Sequence, residues 1–188
     1  MAAVVLAAGA GRRLAASGGQ TPKPLTEVRG IALVDRALTA ALGAGLDEVV
    51  LVDGAVDLSD RAAPGITVLH NPRWADGIAT SLQVAIAHAG EHGHEAVVVG
   101  LVDQPGVGAD DWRAVAAAPV DPPIAVATYG GQRGNPVRVP SSVWPLLPRD
   151  GDIGARAVMQ GMSELVQEVP CTGEPWDIDT VEDLERWS

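Results

Sequence analysis

The chain has 188 residues, enough for a sizeable core, and we expect one domain over residues 1–188. Hydrophobic residues make up 47% and aromatic residues 3%, which argues against disorder and predicts a core of Ala, Val, Leu and Ile. A net charge of −11 without a basic run argues against binding to nucleic acid or to anionic membranes.

Short apolar runs alternate with helical patterns along the whole chain. Apolar runs closed by Gly, Pro or Asp predict buried strands, and apolar residues spaced three to four apart predict helices. The predicted strands are 2–8, 48–52, 66–69, 94–102, 124–128, 137–139 and 165–169. The predicted helices are 31–44, 78–89, 110–117 with Asp110 as N-cap, 141–147, 153–162 and one from Thr180. This alternation predicts an α/β fold of three layers with a mostly parallel sheet.

The first eight residues carry no targeting signal. They lack a basic segment, and their apolar run is too short for a signal peptide or a membrane span. We therefore expect a cytoplasmic protein.

A glycine-rich loop, Gly9-Ala10-Gly11-Arg12-Arg13, directly follows the first predicted strand. Open α/β sheets bind ligands at this edge, and glycines let successive N–H groups point at phosphate oxygens. The dinucleotide fingerprint requires a third glycine where Leu14 stands and a helix that starts at once, which Ser17-Gly18-Gly19 should prevent. The Walker sequence Gly-Lys-Ser/Thr is also absent, so the spacing alone does not identify the ligand.

Lys23 is the only lysine among the 13 Lys and Arg residues, and it lies between Pro22 and Pro24. A single lysine in a chain that otherwise uses arginine indicates a need for a compact ammonium charge. The alternative is a chance surface lysine.

Acidic residues lie where a metal ion would bind. Asp103 ends the clearest predicted strand, at the sheet edge that favours a hard cation, although Asp before Gln-Pro is also a common turn sequence. Asp177 and Asp179 flank Ile178, so in an extended segment both should point the same way. Either could complete a Mg²⁺ site with Asp103, and Asp179 or Thr180 could instead cap the last helix.

Five motifs, taken in chain order, resemble the nucleotidyltransferases with a Rossmann-like sheet. This superfamily includes the molybdopterin nucleotidylyltransferases and the sugar-nucleotide pyrophosphorylases. The similar segments are Leu6 to Arg13 with Lys23-Pro24-Leu25, Gly77 to Ser81, Val99 to Pro105, Gly134-Asn135-Pro136 with Gly151 to Arg156, and Asp177 to Leu184. The segments Val99 to Pro105, Gly134 to Pro136 and Gly151 to Arg156 are similar to the molybdopterin cytidylyltransferase branch.

The resemblance implies a Rossmann-like nucleotidyltransferase fold and assigns roles to individual residues. Arg13, Lys23 and Asp103 are implied to be catalytic, and Asp103 with Asp179 or Asp177 to bind the metal. Asn135 and Arg156 are implied to contact the acceptor. The implied nucleotide-binding residues are Leu6, Ala7, Ala8, Gly9, Gly11, Arg12, Gly77 and Ser81.

The implied activity is Mg²⁺-dependent transfer of a nucleoside monophosphate from an NTP to a phosphorylated acceptor. In the resembling families Ala-Ala-Gly accompanies cytidylyl transfer, so Ala7-Ala8-Gly9 predicts CTP, with molybdopterin as acceptor and a molybdoenzyme as recipient of the product. The loop up to Thr21-Pro22-Lys23 is longer than the cytidylyltransferases use, which favours a sugar- or alditol-phosphate acceptor instead. The same motifs are also compatible with a guanylyltransferase of this family and with a non-catalytic nucleotide-binding module.

Overall fold

In a computed structural model, the chain is described over residues 1–187, apart from the side chain at position 157. The strands are β1 (Ala2–Leu6), β2 (Glu27–Val28), β3 (Ile31–Ala32), β4 (Glu48–Asp53), β5 (Ile66–His70), β6 (Ala96–Leu101), β7 (Ile124–Tyr129), β8 (Gln132–Pro140) and β9 (Val166–Pro170). The helices are α1 (Arg12–Ala16), α2 (Leu33–Gly43), α3 (Ile78–Glu91), α4 (Ala109–Ala117), α5 (Arg156–Gly161) and α6 (Val181–Glu185). Single 3₁₀ turns cover Lys23–Leu25, Ser59–Arg61, Trp74–Asp76, Trp144–Leu146 and Ser163–Leu165.

Seven strands form one sheet in the order β5-β4-β1-β6-β8-β7-β9. β5, β4, β1 and β6 are mutually parallel, β8 is antiparallel to both β6 and β7, and β9 is parallel to β7. Only β8 therefore runs against the rest of this sheet. The predicted α/β fold with a mostly parallel sheet is confirmed.

Strand β1 shows why the fold has three layers. Ala3 and Val5 belong to the core that contains α2 and α4, whereas Val4 and Leu6 belong to the core that contains α3. Because successive side chains of a strand point to opposite faces, a strand that is apolar throughout must be covered on both sides. All five residues of β1 are buried.

Local boundaries differ from the predictions at several places. The helix predicted at 141–147 is only the 3₁₀ turn Trp144–Leu146, since Leu147 is extended before Pro148. The helix predicted from residue 31 begins at Leu33, after the short strand β3. A one-turn helix, α1, begins at Arg12, inside the segment predicted to be a loop. Helix α4 begins at Ala109 and has Gly108, not Asp110, as its N-cap, because the Asp111 carboxylate accepts the Gly108 N–H at 2.9 Å. A positive φ at Gly130 and Gly131 lets β7 turn directly into β8, which extends well beyond the predicted 137–139.

The predicted last helix is confirmed. Thr180 caps α6, since its hydroxyl accepts the Asp183 N–H at 3.2 Å and the Asp183 carboxylate accepts the Thr180 N–H at 2.9 Å. Across residues 1–187, no helix combines the length and the apolar character that a membrane crossing requires.

Candidate functional site

The central cavity lies at the carboxyl ends of the adjacent parallel strands β1 and β6. The chain leaves β1 through α2 on one face of the sheet and reaches β6 through α3 on the other face, which opens a crevice between the two strand ends. The cavity has a volume of about 380 Å³. Its lining includes twelve of the predicted site residues: Leu6, Ala7, Ala8, Gly9, Gly11, Arg12, Arg13, Lys23, Gly77, Ser81, Asp103 and Asp179.

Gly11 packs the glycine loop against Lys23. Its φ of 61° lies in the left-handed region, and a Cβ at this position would be 2.6 Å from the Lys23 Cβ. Both the conformation and the close contact therefore require glycine. Arg12 and Arg13 start α1 beyond this turn, and the Arg13 side chain is 77% exposed at the rim of the cavity.

The Lys23 ammonium lies between two carboxylates. Its Nζ donates to Asp103 Oδ2 at 2.5 Å and to Asp179 Oδ1 at 2.8 Å, and its side chain is only 11% exposed. Arg13 Nη1 contacts the other Asp179 oxygen at 2.6 Å. Burial alone would lower the Lys23 pKa, but the charges and hydrogen bonds of Asp103 and Asp179 raise it above its usual value, so Lys23 is charged. It is not a chance surface lysine.

Asp103 keeps one oxygen without a partner. Its Oδ1 is buried and accepts no hydrogen bond from residues 1–187. Buried polar atoms are normally satisfied, so this oxygen is suited to a ligand that arrives from the cavity. A carboxylate oxygen is a good ligand for a hard divalent ion, and Mg²⁺ commonly takes one or two protein carboxylates together with substrate phosphates and water. No group of three or more His, Cys, Asp or Glu residues in 1–187 is arranged to hold a metal by itself.

Asp179 is positioned from both sides. The Ile178 N–H donates to the Asp103 carbonyl at 2.9 Å, which ties the segment to the end of β6, and Ile178 is fully buried. Because Thr180 provides the cap of α6, the Asp179 carboxylate remains available to Lys23 and Arg13.

Asp177 lies outside this group. Its Oδ1 accepts a hydrogen bond from Gln104 Nε2 at 2.8 Å, and it lines a second cavity of about 530 Å³ beside Trp176 and Arg29. Burial and the charge of Asp103 raise the Asp177 pKa. The two predicted carboxylates thus line different cavities, and Asp179 is the one that contacts Lys23.

The start of α3 forms the other wall of the central cavity. Asn71 is 1% exposed, and its Nδ2 donates to Ser81 Oγ and to Thr80 Oγ1, both at 2.9 Å. Trp74 and Asp152 also line the cavity. From the sequence, none of Asn71, Trp74 and Asp152 is predicted as a site residue, although Asp152 lies within the segment Gly151 to Arg156 that resembles the molybdopterin cytidylyltransferases.

The two predicted acceptor residues do not line the central cavity. The Asn135 carbonyl accepts the Tyr129 hydroxyl at 2.7 Å, within the β7–β8 hairpin. Arg156 is exposed at the first residue of α5. Their roles in acceptor binding remain predictions.

Comparison with known proteins agrees with this geometry. Residues 3–169 match the MobA-like NTP transferase domain family. The match covers most of the chain, so the protein belongs to the MobA-like NTP transferases and is a nucleotidyltransferase by family.

Individual relatives span nearly the whole chain. Nicotine blue oxidoreductase of Paenarthrobacter nicotinovorans is 32% identical, over 97% of this chain and 94% of its own. Purine catabolism protein PucB of Bacillus subtilis strain 168 is 29% identical, over 97% and 93%. The crystal structure of Rv0371c from Mycobacterium tuberculosis H37Rv superposes with a TM-score of 0.82 at 30% identity, covering 98% of this chain and 95% of that one. Rv0371c has also been solved in complex with manganese.

Proposed function

We propose that the protein transfers CMP from CTP to a phosphorylated acceptor, molybdopterin, in a Mg²⁺-dependent reaction that releases pyrophosphate. The observation that carries this proposal is the buried Lys23 ammonium held by Asp103 and Asp179 at the end of a glycine-loop cavity. The family supports nucleotidyl transfer, and the geometry supports the residue roles below.

Charge neutralisation is the first requirement, because the chain has a net charge of −11 and an NTP is itself an anion. The cavity lining holds three cations, Arg12, Arg13 and Lys23, whose charge Asp103 and Asp179 partly compensate, so Mg²⁺ would supply the rest. The loop from Gly9 to Gly11 adds backbone N–H groups at the same place. The NTP phosphates therefore belong at this end of the cavity.

The chemical step is an in-line displacement at the α-phosphorus. An acceptor phosphate oxygen forms a bond to this phosphorus while the bond to the bridging oxygen of pyrophosphate breaks. Lys23 stabilises the charge on the transferring phosphoryl group, and Arg13 with the glycine loop holds the leaving pyrophosphate. Asp103, through its partnerless Oδ1, and Asp179 would hold Mg²⁺, which supplies further charge neutralisation when bound.

The surroundings of Ala8 support a pyrimidine base. Ala8 lines the cavity, and a Cβ added to Gly54 would be 2.9 Å from the Ala8 Cβ and 2.6 Å from the Trp74 Cβ. Gly54 therefore packs closely behind Ala8, and this packing favours keeping the Ala8 methyl in the cavity wall, where it disfavours a larger base. A steric difference of one methyl group contributes about 1–3 kcal/mol to the discrimination between a pyrimidine and a purine base.

Pyrophosphate release tests this proposal directly. The purified chain is incubated with CTP, GTP, ATP or UTP, with Mg²⁺ or with EDTA, and with molybdopterin, inositol 1-phosphate or a hexose 1-phosphate. The expected result is release that requires Mg²⁺, CTP and molybdopterin together. Preference for a sugar or inositol phosphate would assign the acceptor differently, and the absence of release with every pair would refute nucleotidyl transfer.

A second candidate comes from the relative called nicotine blue oxidoreductase, which is 32% identical over nearly the full length. This activity is tested in the same preparation by adding nicotine blue with NADH or NADPH and recording the decrease of the dye's visible absorbance. Reduction of the dye by a protein that releases no pyrophosphate would favour the second candidate over the first.

A further inference from the structure

The loop at 151–154 is fixed against the start of α3. The Gly151 N–H donates to the Asp76 carbonyl at 2.8 Å, and the Gly151 carbonyl accepts the Ala79 N–H at 3.0 Å. A Cβ on Gly77 would lie 2.3 Å from the Gly151 carbonyl group, so the two backbones are in direct contact. The loop is therefore part of the wall that also carries Ser81.

This loop presents Asp152 to the central cavity. Gly151 and Gly154 adopt φ values of 84° and 53°, which only glycine adopts readily, and together they make the turn that carries Asp152. Three carboxylates line the cavity, and Asp103 and Asp179 are both paired with Lys23. Within residues 1–187, Asp152 is the one cavity carboxylate with neither a cation nor a hydrogen-bond donor as partner.

A carboxylate without a cation is unfavourable next to a polyphosphate, because two like charges about 4 Å apart repel by several kcal/mol at a protein surface. The phosphates belong with Lys23 and the two arginines, at the glycine loop. Asp152 belongs instead to the loop packed on the start of α3, so the uncharged part of the nucleotide would lie there. An N–H donor on the nucleobase is the group that this carboxylate fits.

We propose that Asp152 determines base selectivity by accepting a hydrogen bond from the 4-amino group of cytosine. Uracil carries a carbonyl oxygen at the same ring position, which would face the carboxylate without a proton between them. Asp152 therefore favours CTP over UTP, two bases of equal size that the packing around Ala8 does not separate. This inference rests on the proposed nucleotidyl transfer and specifies how the base of the nucleotide substrate is recognised.

The test compares wild type with Asp152→Asn on four nucleotides: CTP, UTP, 2′-deoxy-CTP and the triphosphate of the pyrimidin-2-one riboside, which lacks the 4-amino group. We expect the CTP-to-UTP ratio of kcat/KM to fall about 10- to 100-fold in the variant, because the amide loses the charged acceptor for the 4-amino group and can donate to the uracil carbonyl instead. Removal of the 4-amino group should cost wild type a similar factor and the variant less, since the neutral amide oxygen accepts only a weaker hydrogen bond from it. The ratio of CTP to 2′-deoxy-CTP should not change.

Asp150→Asn is the matched control, because Asp150 is an exposed acid two residues away that does not line the cavity. It should keep the wild-type ratios, and both variants should show the thermal melting of wild type. An unchanged CTP-to-UTP ratio, an equal loss with every nucleotide, or a loss confined to 2′-deoxy-CTP would each overturn the inference. A wild-type preference for GTP would overturn the cytosine contact as well.

Calorimetric binding of CTP and UTP separates this inference from the proposed function. If the protein binds CTP selectively, Asp152→Asn abolishes this selectivity and no pyrophosphate is released, the base contact is supported and the transferase activity is refuted. If pyrophosphate is released and the variant keeps the wild-type selectivity, the transferase activity is supported and the base contact is refuted.

Discussion

Two clusters of charged side chains lie at opposite ends of the same parallel strands. At the carboxyl ends, Lys23 is held by Asp103 and Asp179 beside the central cavity. At the amino ends, Glu48 begins β4, and its two oxygens accept hydrogen bonds from His88 Nε2 and His94 Nε2, each at 2.9 Å.

The clusters are similarly buried but differ in their hydrogen bonding. Glu48, 18% exposed, receives a third hydrogen bond from the Thr67 hydroxyl at 2.6 Å, so both of its oxygens are satisfied. Asp103, 19% exposed, retains a buried oxygen without a partner among residues 1–187. A satisfied cluster stabilises the fold, whereas a carboxylate that lines a cavity and keeps a buried oxygen without a partner is suited to bind a ligand. Burial and charge by themselves do not distinguish the two cases.

The largest expected effect is the loss of activity in Asp103→Asn. The amide is isosteric and can still accept the Lys23 hydrogen bond, but it removes the charge at the proposed metal site. We expect kcat for pyrophosphate release to fall on the order of 100- to 1000-fold, the usual consequence of losing one electrostatic contact to the transition state. Thermal melting should stay close to wild type, and a fully active variant would contradict the catalytic role.

Glu48→Gln should show the opposite pattern. It removes a carboxylate that accepts three hydrogen bonds, and we expect the free energy of unfolding to decrease by about 1–3 kcal/mol. Urea denaturation measures this loss, while kcat/KM should remain that of wild type because the residue lies at the far ends of the strands. Loss of activity at unchanged stability would remove the distinction between the clusters.

Acid should weaken the Glu48 cluster. Burial would raise the Glu48 pKa, but hydrogen bonds from Thr67, His88 and His94 lower it from 4.5 to about 2. A lowered folded-state pKa contributes stability above about pH 4.5, and this contribution is lost as the pH falls toward 2. The stability difference between wild type and Glu48→Gln should therefore shrink over this interval, as measured by urea denaturation at pH 6, 4 and 3; a constant difference would contradict it.

The smallest effect should come from an exposed ion pair. Arg186 contacts Glu182 at 3.2 Å and Asp183 at 3.5 Å, and its side chain is 67% exposed. Such pairs contribute about 0.2–1 kcal/mol, so Arg186→Gln should change the unfolding free energy by less than Glu48→Gln does. A larger loss than that of Glu48→Gln would show that exposure does not rank this ion pair below the Glu48 cluster.

Much of the central site could be predicted from the sequence because it follows single strand ends. The glycine loop follows β1, and Asp103 follows β6, which are neighbours in the sheet. Strand ends are readable from apolar runs, and adjacent parallel strands bring their carboxyl ends together. Lys23 is distinguished by composition, as the only lysine, and the fold places it between the two carboxylates.

Residues that depend on contacts between distant loops could not be found in this way. The one-turn helix α1 ends before Gly18 and Gly19, and the Ser17 hydroxyl that follows it accepts the Val181 N–H at 3.0 Å, which ties this segment to the start of α6. Asp152 reaches the cavity because Gly151 contacts Gly77, 74 residues earlier in the chain. No local pattern encodes such a contact.

Periodicity and composition predict the α/β class, a site at the ends of the first and fourth parallel strands, and Lys23, because both act locally, whereas Arg12 and Arg13 came from the family resemblance. The fold brings Asp179 to Lys23 and places Asp177 at another cavity, since the Ile178 N–H bond to the Asp103 carbonyl sets how that segment lies. The fold also sets which charged cluster has all its hydrogen bonds made and which keeps an oxygen without a partner. Hydrogen-bond satisfaction depends on where atoms meet in space, and residue order does not specify that directly.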